Sequence, residues 1–182
     1  VPAYNGDKYL QLFTEKDTKF IYSFTMSSKS HAEKNLNALL DEMKILHQTI
    51  DCYHADGGPE LIGENIKKIL ISHGCRITYS PPYTPQLNGQ AERMNQKVWQ
   101  TAYTLLLDCC IPMDLWPYAV KHAVMLCNML LTKGNLDSKS PMEEKFGIVP
   151  NLSMFKVFGC RAYIHIPQST RTSTFSDRAY KG

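Results

Sequence analysis

Residues 75–108, CRITYSPPYTPQLNGQAERMNQKVWQTAYTLLLD, contain three local patterns in succession. The first, CRITYS, is a short run rich in β-formers, and it is followed by a stretch rich in Pro, Asn and Gly, which favour loops. From about Gln90 to Asp108 helix formers predominate, with apolar side chains at helical spacing. These are Ala91, Met94, Val98, Ala102 and Leu105. A strand, a loop and a long helix in this order indicate an α/β layer fold.

The same alternation of patterns is found upstream. Two aromatic, alternating runs separated by the polar TEKDT predict paired strands, and later apolar residues recur at helical spacing. The predicted elements are strands at 8–13, 19–26 and 49–54 and helices at 31–48 and 61–74. Ser30 is expected to cap the first helix and Gly74 to end the second. Strands followed by alternating strands and helices predict a mixed sheet flanked by helices.

Downstream of Asp108 the sequence predicts a further helix over 112–131, entered at Pro112. The remainder mixes a short helix with a strand at 161–166. The polar end, residues 168–182, is expected to be loosely held.

Composition limits the functional classes. The 182 residues are 43% hydrophobic and 20% charged, which is the balance of one generous globular domain. The net charge of +3 and a pI near 8.5 are compatible with a polyanionic partner, although a dedicated nucleic-acid binder usually has a pI above about 9. The most apolar late run contains Lys121 and His122, so we expect no membrane association.

The six cysteines form no C-x-x-C pair and lie scattered in apolar segments. They predict reduced thiols of an intracellular protein, although an even number would also suit a disulfide framework. No cysteine pair has a matching pair of histidines, so a structural zinc site is not expected.

Three carboxylates have positions that would suit chemistry. Asp56 follows a predicted buried strand and precedes two glycines, Glu15 follows the first strand, and Glu92 lies on the long helix beside its apolar stripe. Taken singly, Asp56 suits a simple turn and Glu15 a solvated hairpin. Together they would provide the oxygen ligands that two Mg²⁺ or Mn²⁺ ions need for phosphoryl transfer.

A family resemblance supports the interpretation that the three carboxylates together form a metal site. Asp56 and Glu92 are separated by 35 residues, which resembles the second and third members of the D,D-35-E signature of retroviral and retrotransposon integrases. Five segments resemble, in order, the integrase of copia-type LTR retrotransposon polyproteins. They are HADGGPE (54–60), YSPPYTPQLNGQAERMNQ (79–96), IPMDLWPYAVKHAVMLCN (111–128), SPMEEKFGIVPNLSMFKVFGCRAYIHIP (140–167) and FSDRAYKG (175–182). The resemblance implies a ribonuclease-H-like catalytic core over 1–110 and a copia-type helical and strand extension over 111–182.

The resemblance also implies roles for individual residues. Glu15, Asp56 and Glu92 match the catalytic metal ligands, with two Mg²⁺ or Mn²⁺ ions expected when DNA is bound. The residues that match DNA-contacting positions are Tyr83, Gln86, Asn88 and Gly89 in the loop and Arg93, Asn95 and Lys97 on the helix. Amides and basic side chains are suited to bases and phosphates. Arg93 and Lys97 also suit plain solvation of an outer helix face, and Trp99 suits the core.

Position 15 departs from the family pattern, which has Asp there. Glu15 keeps the charge but moves the oxygens by about 1.5 Å, and displacement of that size can cost about 10²-fold in rate. Three accounts are open: Glu15 is a working ligand, Asp17 replaces it through a register change, or the site is impaired.

The function implied is metal-dependent end processing and strand transfer of element DNA into host DNA. The alternative is a domesticated or decayed module that binds DNA or protein without catalysis, and a third is a ribonuclease-H-type nuclease, which the PYTPQLNG loop disfavours. The expected partners are double-stranded DNA, further copies of the chain and a host tethering factor. The expected locations are the nucleus and the cytoplasmic virus-like particle.

Overall fold

The computed structural model describes residues 1–55, 63–79, 85–132, 135, 138–173 and 177–181, without the side chains of 85–88 and 181. Strands and helices alternate along the chain, as predicted. The strands are β1 (Tyr9–Thr14), β2 (Ile21–Met26), β3 (Cys52–Ala55), β4 (Arg76–Tyr79), β5 (Tyr163–His165) and β6 (Ala179–Lys181). The helices are α1 (Ala32–Ile45), α2 (Glu64–Ser72), α3 (Pro85–Asp108), α4 (Trp116–Met129) and α5 (Pro141–Phe146).

The predicted α/β fold is confirmed, and the strands of the described residues pair in three two-stranded sheets. β1 and β2 are antiparallel, with Tyr9 opposite Met26 and Thr14 opposite Ile21. β3 and β4 are parallel, so both strands end at the same edge, at Ala55 and Tyr79. That edge is where open α/β folds place their ligands.

Three local predictions differ from the structure. Ser30 does not cap α1; instead the Ser28 hydroxyl accepts a hydrogen bond from the Ser30 N–H and caps a short 3-10 turn that precedes the helix. α3 begins at Pro85 rather than near Gln90, because proline at a first helical position needs no N–H partner. The polar end is not loose throughout, since β6 pairs with β5.

The largest hydrophobic cluster lies between α3 and α4 and extends to β2. Val98 and Ala102 of the predicted stripe are fully buried, but Leu106 is buried in place of the predicted Leu105, which is half-buried. The α4 residues of this cluster are Trp116, Ala119, Val120, Ala123, Val124 and Cys127. Burying each large apolar side chain contributes about 1.5–3 kcal/mol. Residues on both sides of position 110, such as Leu106 and Trp116, belong to this cluster.

A second cluster joins α1 and α2 to β3, through Leu36, Leu40, Tyr53, Ile66 and Leu70 among others.

All six cysteines are free thiols, as predicted. Within the described ranges, no helix combines the length and the apolar character that crossing a membrane requires.

Candidate active site

Glu15 begins the turn between β1 and β2. Its N–H donates to the Phe20 carbonyl over 2.9 Å, and the Lys19 N–H donates to the Glu15 carbonyl over 3.2 Å. Lys19 has a φ of 63°, which lets the chain reverse within these few residues. The pairing of β1 with β2 runs without interruption to Thr14 and Ile21. β1 and β2 therefore pair without a bulge up to the turn, and Asp17 lies in the exposed part of the turn.

The Glu15 carboxylate is engaged on both oxygens. Thr18 Oγ1 donates to Oε2 over 2.7 Å, and Lys145 Nζ, from α5, donates to Oε1 in a salt bridge. The side chain of Lys145 is 4% exposed and that of Glu15 is 31% exposed. A buried ammonium needs a nearby negative charge, so Glu15 is the counter-ion of Lys145 in this structure.

Aromatic rings complete the surroundings of Lys145. Its Nζ lies 5.5 Å from the ring centroid of Phe20, 5.4 Å from that of Tyr22 and 5.5 Å from that of Phe146. At these distances the ring faces attract the cation. Burial raises the pKa of the Tyr22 phenol above its ordinary value, and the charge of Glu15 raises it further. Tyr22 therefore stays neutral beside the pair.

A side chain of α4 forms hydrogen bonds to β2 on the edge that faces away from β1. Ile21 lies next to the bonded pair Glu15 and Phe20, so its own N–H and C=O point away from β1. The Ile21 N–H donates to Asn128 Oδ1 over 2.9 Å, and Asn128 Nδ2 donates to the Ile21 carbonyl over 2.8 Å. Asn128 thus fixes the strand that follows the Glu15 turn.

The first turns of α3 lie beside the Glu15 turn. Gln90 Nε2 donates to the Lys16 carbonyl over 3.5 Å. Glu92 is two residues further along α3, and it is exposed, as is Asn95. The structure therefore brings the segments that carry Glu15 and Glu92 together. Asp56 directly follows the last residue of β3 but lies outside the described residues.

A basic depression of about 250 Å³ separates α3 from the same turn. Lys19, Arg93 and Lys97 line it together with Gln90, Met94 and Thr132, and none of these side chains is acidic. Three cations on one surface favour an anion such as a backbone phosphate. Arg93 and Lys97 were predicted for this role, whereas Lys19 was missed because it occurs in a mixed-charge turn.

The other predicted DNA contacts are only partly described. Gly89 lies within α3, where an added Cβ would come within 3.2 Å of Arg93 Nη1. Gln86 and Asn88 are in the first turn of α3, with their side chains outside the description, and Tyr83 lies wholly outside it.

Of the predicted metal ligands that the structure describes, Glu92 is suited to bind a divalent cation and Glu15 is not. Among the described residues, no three Asp, Glu, His or Cys side chains are placed to hold a metal ion. Glu92 is exposed, and carboxylate oxygens are ligands that Mg²⁺ prefers. Glu15 does not suit it, because two unit charges about 4 Å apart interact by about 4 kcal/mol near a protein surface, and Lys145 would repel a divalent ion with twice that strength.

Lys145 and Asn128 are the residues that sequence reasoning missed. Charged residues are rarely buried, and Lys145 lies 130 positions from its partner in the chain. Asn128 occurs inside an apolar helical run, where a buried polar residue needs a partner. That signal indicates a contact but does not identify it.

Comparison with known sequences finds retrovirus-related Pol polyproteins of plant transposons, whereas no protein-family model matches. The chain is 31% identical over 162 residues to that of transposon RE1 of Arabidopsis thaliana, covering 88% of this chain and 11% of the relative. For transposon RE2 of the same plant the identity is 32% over 157 residues, covering 86% and 11%. For transposon TNT 1-94 of Nicotiana tabacum it is 27% over 175 residues, covering 94% and 13%. The chain thus spans little more than a tenth of each relative.

Comparison with solved structures finds retroviral integrases. The catalytic core domain of HTLV-2 integrase in complex with magnesium, in a trimeric form, matches 74% of this chain and 82% of its own, with a TM-score of 0.57 and 16% identity. A simian T-cell lymphotropic virus intasome with the PP2A regulatory subunit B56 gamma matches 100% and 64%, with a TM-score of 0.63 and 16% identity. The chain therefore has the fold of a retroviral integrase catalytic core, and its sequence is similar to one segment of retrotransposon Pol polyproteins.

Proposed function

We propose that this chain is the integrase core of a copia-type LTR retrotransposon, and that it carries out end processing and strand transfer of element DNA. The observation that carries the proposal is sequence similarity to transposon Pol polyproteins over 88% of the chain, combined with an integrase-like fold. The Gln90 contact to Lys16 supports it, because it joins the segments of two candidate carboxylates.

The reaction we propose is attack on a phosphodiester by water in end processing and by a DNA 3′-hydroxyl in strand transfer. No covalent intermediate with the protein forms. The carboxylates that match the family's catalytic positions are Glu15, Asp56 and Glu92, and of these we propose a catalytic role for Asp56 and Glu92. The proposed cofactor is Mg²⁺ or Mn²⁺, which the magnesium complex of the HTLV-2 core supports. The engagement of Glu15 by Lys145 does not fit a ligand role, so we assign no step to a metal at that position.

The basic depression gives the proposed path for double-stranded DNA. Lys19, Arg93 and Lys97 would neutralise phosphates, which positions the duplex without reading its sequence. Asn95 lies on the exposed side of α3 with Glu92. The remaining proposed contacts are Tyr83, Gln86, Asn88 and Gly89, which precede it in the chain.

A second candidate function is a module of integrase descent that binds DNA without joining it. The salt bridge between Glu15 and Lys145 favours it, because it occupies one of the three carboxylates that catalysis would use. Such a module should bind duplex DNA equally well when EDTA is present.

The deciding experiment is strand transfer of a labelled duplex end into plasmid, with Mg²⁺ and then Mn²⁺. The native chain is compared with Glu92→Gln and Glu15→Asp, and cleavage of an RNA–DNA hybrid is measured in parallel. Joining by the native chain that Glu92→Gln abolishes supports the integrase. Joining only by Glu15→Asp, with native DNA binding intact, supports the binding module. Hybrid cleavage without joining would contradict both.

Further proposals concern assembly and location. We propose that the chain forms homo-multimers, and the extension over 111–182 exposes apolar side chains that would suit such contacts, including Val149, Met154 and Val157. Light scattering after size exclusion measures the number of copies in the assembly.

We also propose a host tethering factor, and residence in the nucleus and the cytoplasmic virus-like particle. Immunofluorescence of the tagged element would test the location.

A further inference from the structure

Glu15 and Lys145 form a charge pair between two regions far apart in the chain. Lys145 lies on α5 in the last third of the sequence, and Glu15 directly follows β1. With 4% of its side chain exposed, the ammonium of Lys145 has almost no access to water. Its surroundings in the described residues are one carboxylate and the rings of Phe20, Tyr22 and Phe146.

This arrangement has the features of a cation-binding site. The carboxylate balances the charge, three ring faces surround it, and Thr18 orients the carboxylate by donating to its other oxygen. The site is formed by the turn between β1 and β2, by Tyr22 of β2 and by Phe146 of α5, and the cation that fills it belongs to the chain itself.

We propose that Lys145 is a resident cation that competes with a divalent metal ion for Glu15. Glu15 is a counter-ion while Lys145 is in place, and it becomes available to a metal only when Lys145 is absent or withdrawn. α5 therefore controls whether position 15 is a ligand. This inference rests on the proposed function for the choice of metal, but the salt bridge and its burial stand independently of it.

The test measures Mn²⁺ binding to the full chain by electron paramagnetic resonance of the free ion. The variants are Glu15→Gln, Lys145→Met and the double variant. Glutamine keeps the shape of Glu15 and removes its charge. Methionine fills the space between the rings without a charge, and replacing a buried pair member by an apolar residue of similar volume is often tolerated. Lys156→Met, an exposed change in the extension, is the matched control for loss of one positive charge.

We expect the contribution of Glu15 to Mn²⁺ binding to depend on whether Lys145 is present. Glu15→Gln leaves Mn²⁺ affinity unchanged in the native background, whereas Lys145→Met raises it by about tenfold or more, because a neighbouring positive charge is gone. The double variant loses this gain. Lys156→Met has the native affinity. A weaker Mn²⁺ affinity in Glu15→Gln alone, or an unchanged affinity in Lys145→Met, overturns the proposal.

Thermal unfolding without metal is a second test. The Tm of Glu15→Gln should fall if Glu15 is the counter-ion of Lys145, and it should stay or rise if Glu15 belongs to a cluster of carboxylates. Removing the counter-ion of a buried ammonium is expected to lower the Tm of Glu15→Gln by about 5 °C. Removing a carboxylate from a cluster of like charges would leave the Tm unchanged or raise it. A Tm of Glu15→Gln at or above the native value overturns the pair.

Failure of the proposed function gives a different result. In that case the native chain does not join DNA, and Glu92→Gln leaves Mn²⁺ affinity unchanged. The role of Lys145 is read from the difference between Lys145→Met and the double variant, and from the Tm of Glu15→Gln, so the two conclusions are separable.

Discussion

Asn128 takes the place of a neighbouring strand for β2. Its amide both accepts from and donates to the backbone of Ile21, which is 2% exposed. An asparagine side chain carries the same donor and acceptor as a peptide group, so one residue satisfies two buried groups that have no ladder partner on that side. The position of the Glu15 turn therefore depends on a residue of α4.

Replacement of Asn128 by Ala should lower the free energy of unfolding by about 3 kcal/mol, because two buried backbone groups lose their partners. Asn128→Asp should also destabilise the fold, since a carboxylate oxygen would then face the Ile21 carbonyl. Urea unfolding followed by circular dichroism measures both changes. The matched control is Asn37→Ala on the exposed side of α1. A change in Asn128→Ala no larger than in the control would contradict the proposed role.

At the scale of elements, the segment after α5 packs on α4 through His122. The imidazole lies 5.3 Å from the ring of Phe158 and 6.1 Å from that of Phe155. Burial against these rings lowers the pKa of His122 below its ordinary value of 6.5. The neutral ring is therefore the form that the folded chain prefers.

This lowered pKa predicts a loss of stability in mild acid. The unfolded chain binds the His122 proton more readily than the folded chain, so stability is full above about pH 6.5 and falls as the pH decreases through the folded pKa. Urea midpoints at pH 7.5 and 5.5 should differ less in His122→Gln than in the native chain. His31→Gln, at an exposed position, should keep the native difference. Equal pH dependence in His122→Gln and the native chain would contradict the prediction.

At the scale of the whole molecule, the core region and the extension share one hydrophobic cluster. Trp99 of α3 and Trp116 of α4 have ring centroids 5.3 Å apart, and Val98 packs in the same cluster as Val120. We therefore expect the two regions to unfold together.

Unfolding in urea should therefore be one cooperative transition. Tryptophan fluorescence, which senses the contact of Trp99 with Trp116, and far-UV circular dichroism, which senses all helices, should give the same midpoint. Trp99→Phe, which leaves Trp116 as the remaining fluorophore, should keep the two curves coincident at a shifted midpoint. Two separate midpoints would instead indicate that residues 1–110 and 111–182 unfold independently.

The sequence predicts local patterns in this molecule better than distant pairings. Helical spacing identified Val98 and Ala102 as buried, and alternation identified β1 and β2, because these signals depend on neighbours in the chain. The family resemblance supplied Glu15 and Glu92 as site candidates. The salt bridge to Lys145 could not be predicted, since it depends on the packing of α5 against the turn between β1 and β2 and on the burial of a residue type that is usually exposed.

The distance along the chain between Glu15 and its partner also affects the order of folding during synthesis. Ile21 meets Asn128 across 107 positions, and Glu15 meets Lys145 across 130. At about 5–20 residues per second, a ribosome needs roughly 5–25 s to make the residues that separate them. Through that interval β2 has an unpaired edge, and Glu15 is a solvated carboxylate. The newly made chain therefore passes through a period in which position 15 is open to ions, and this period ends when α4 and α5 arrive.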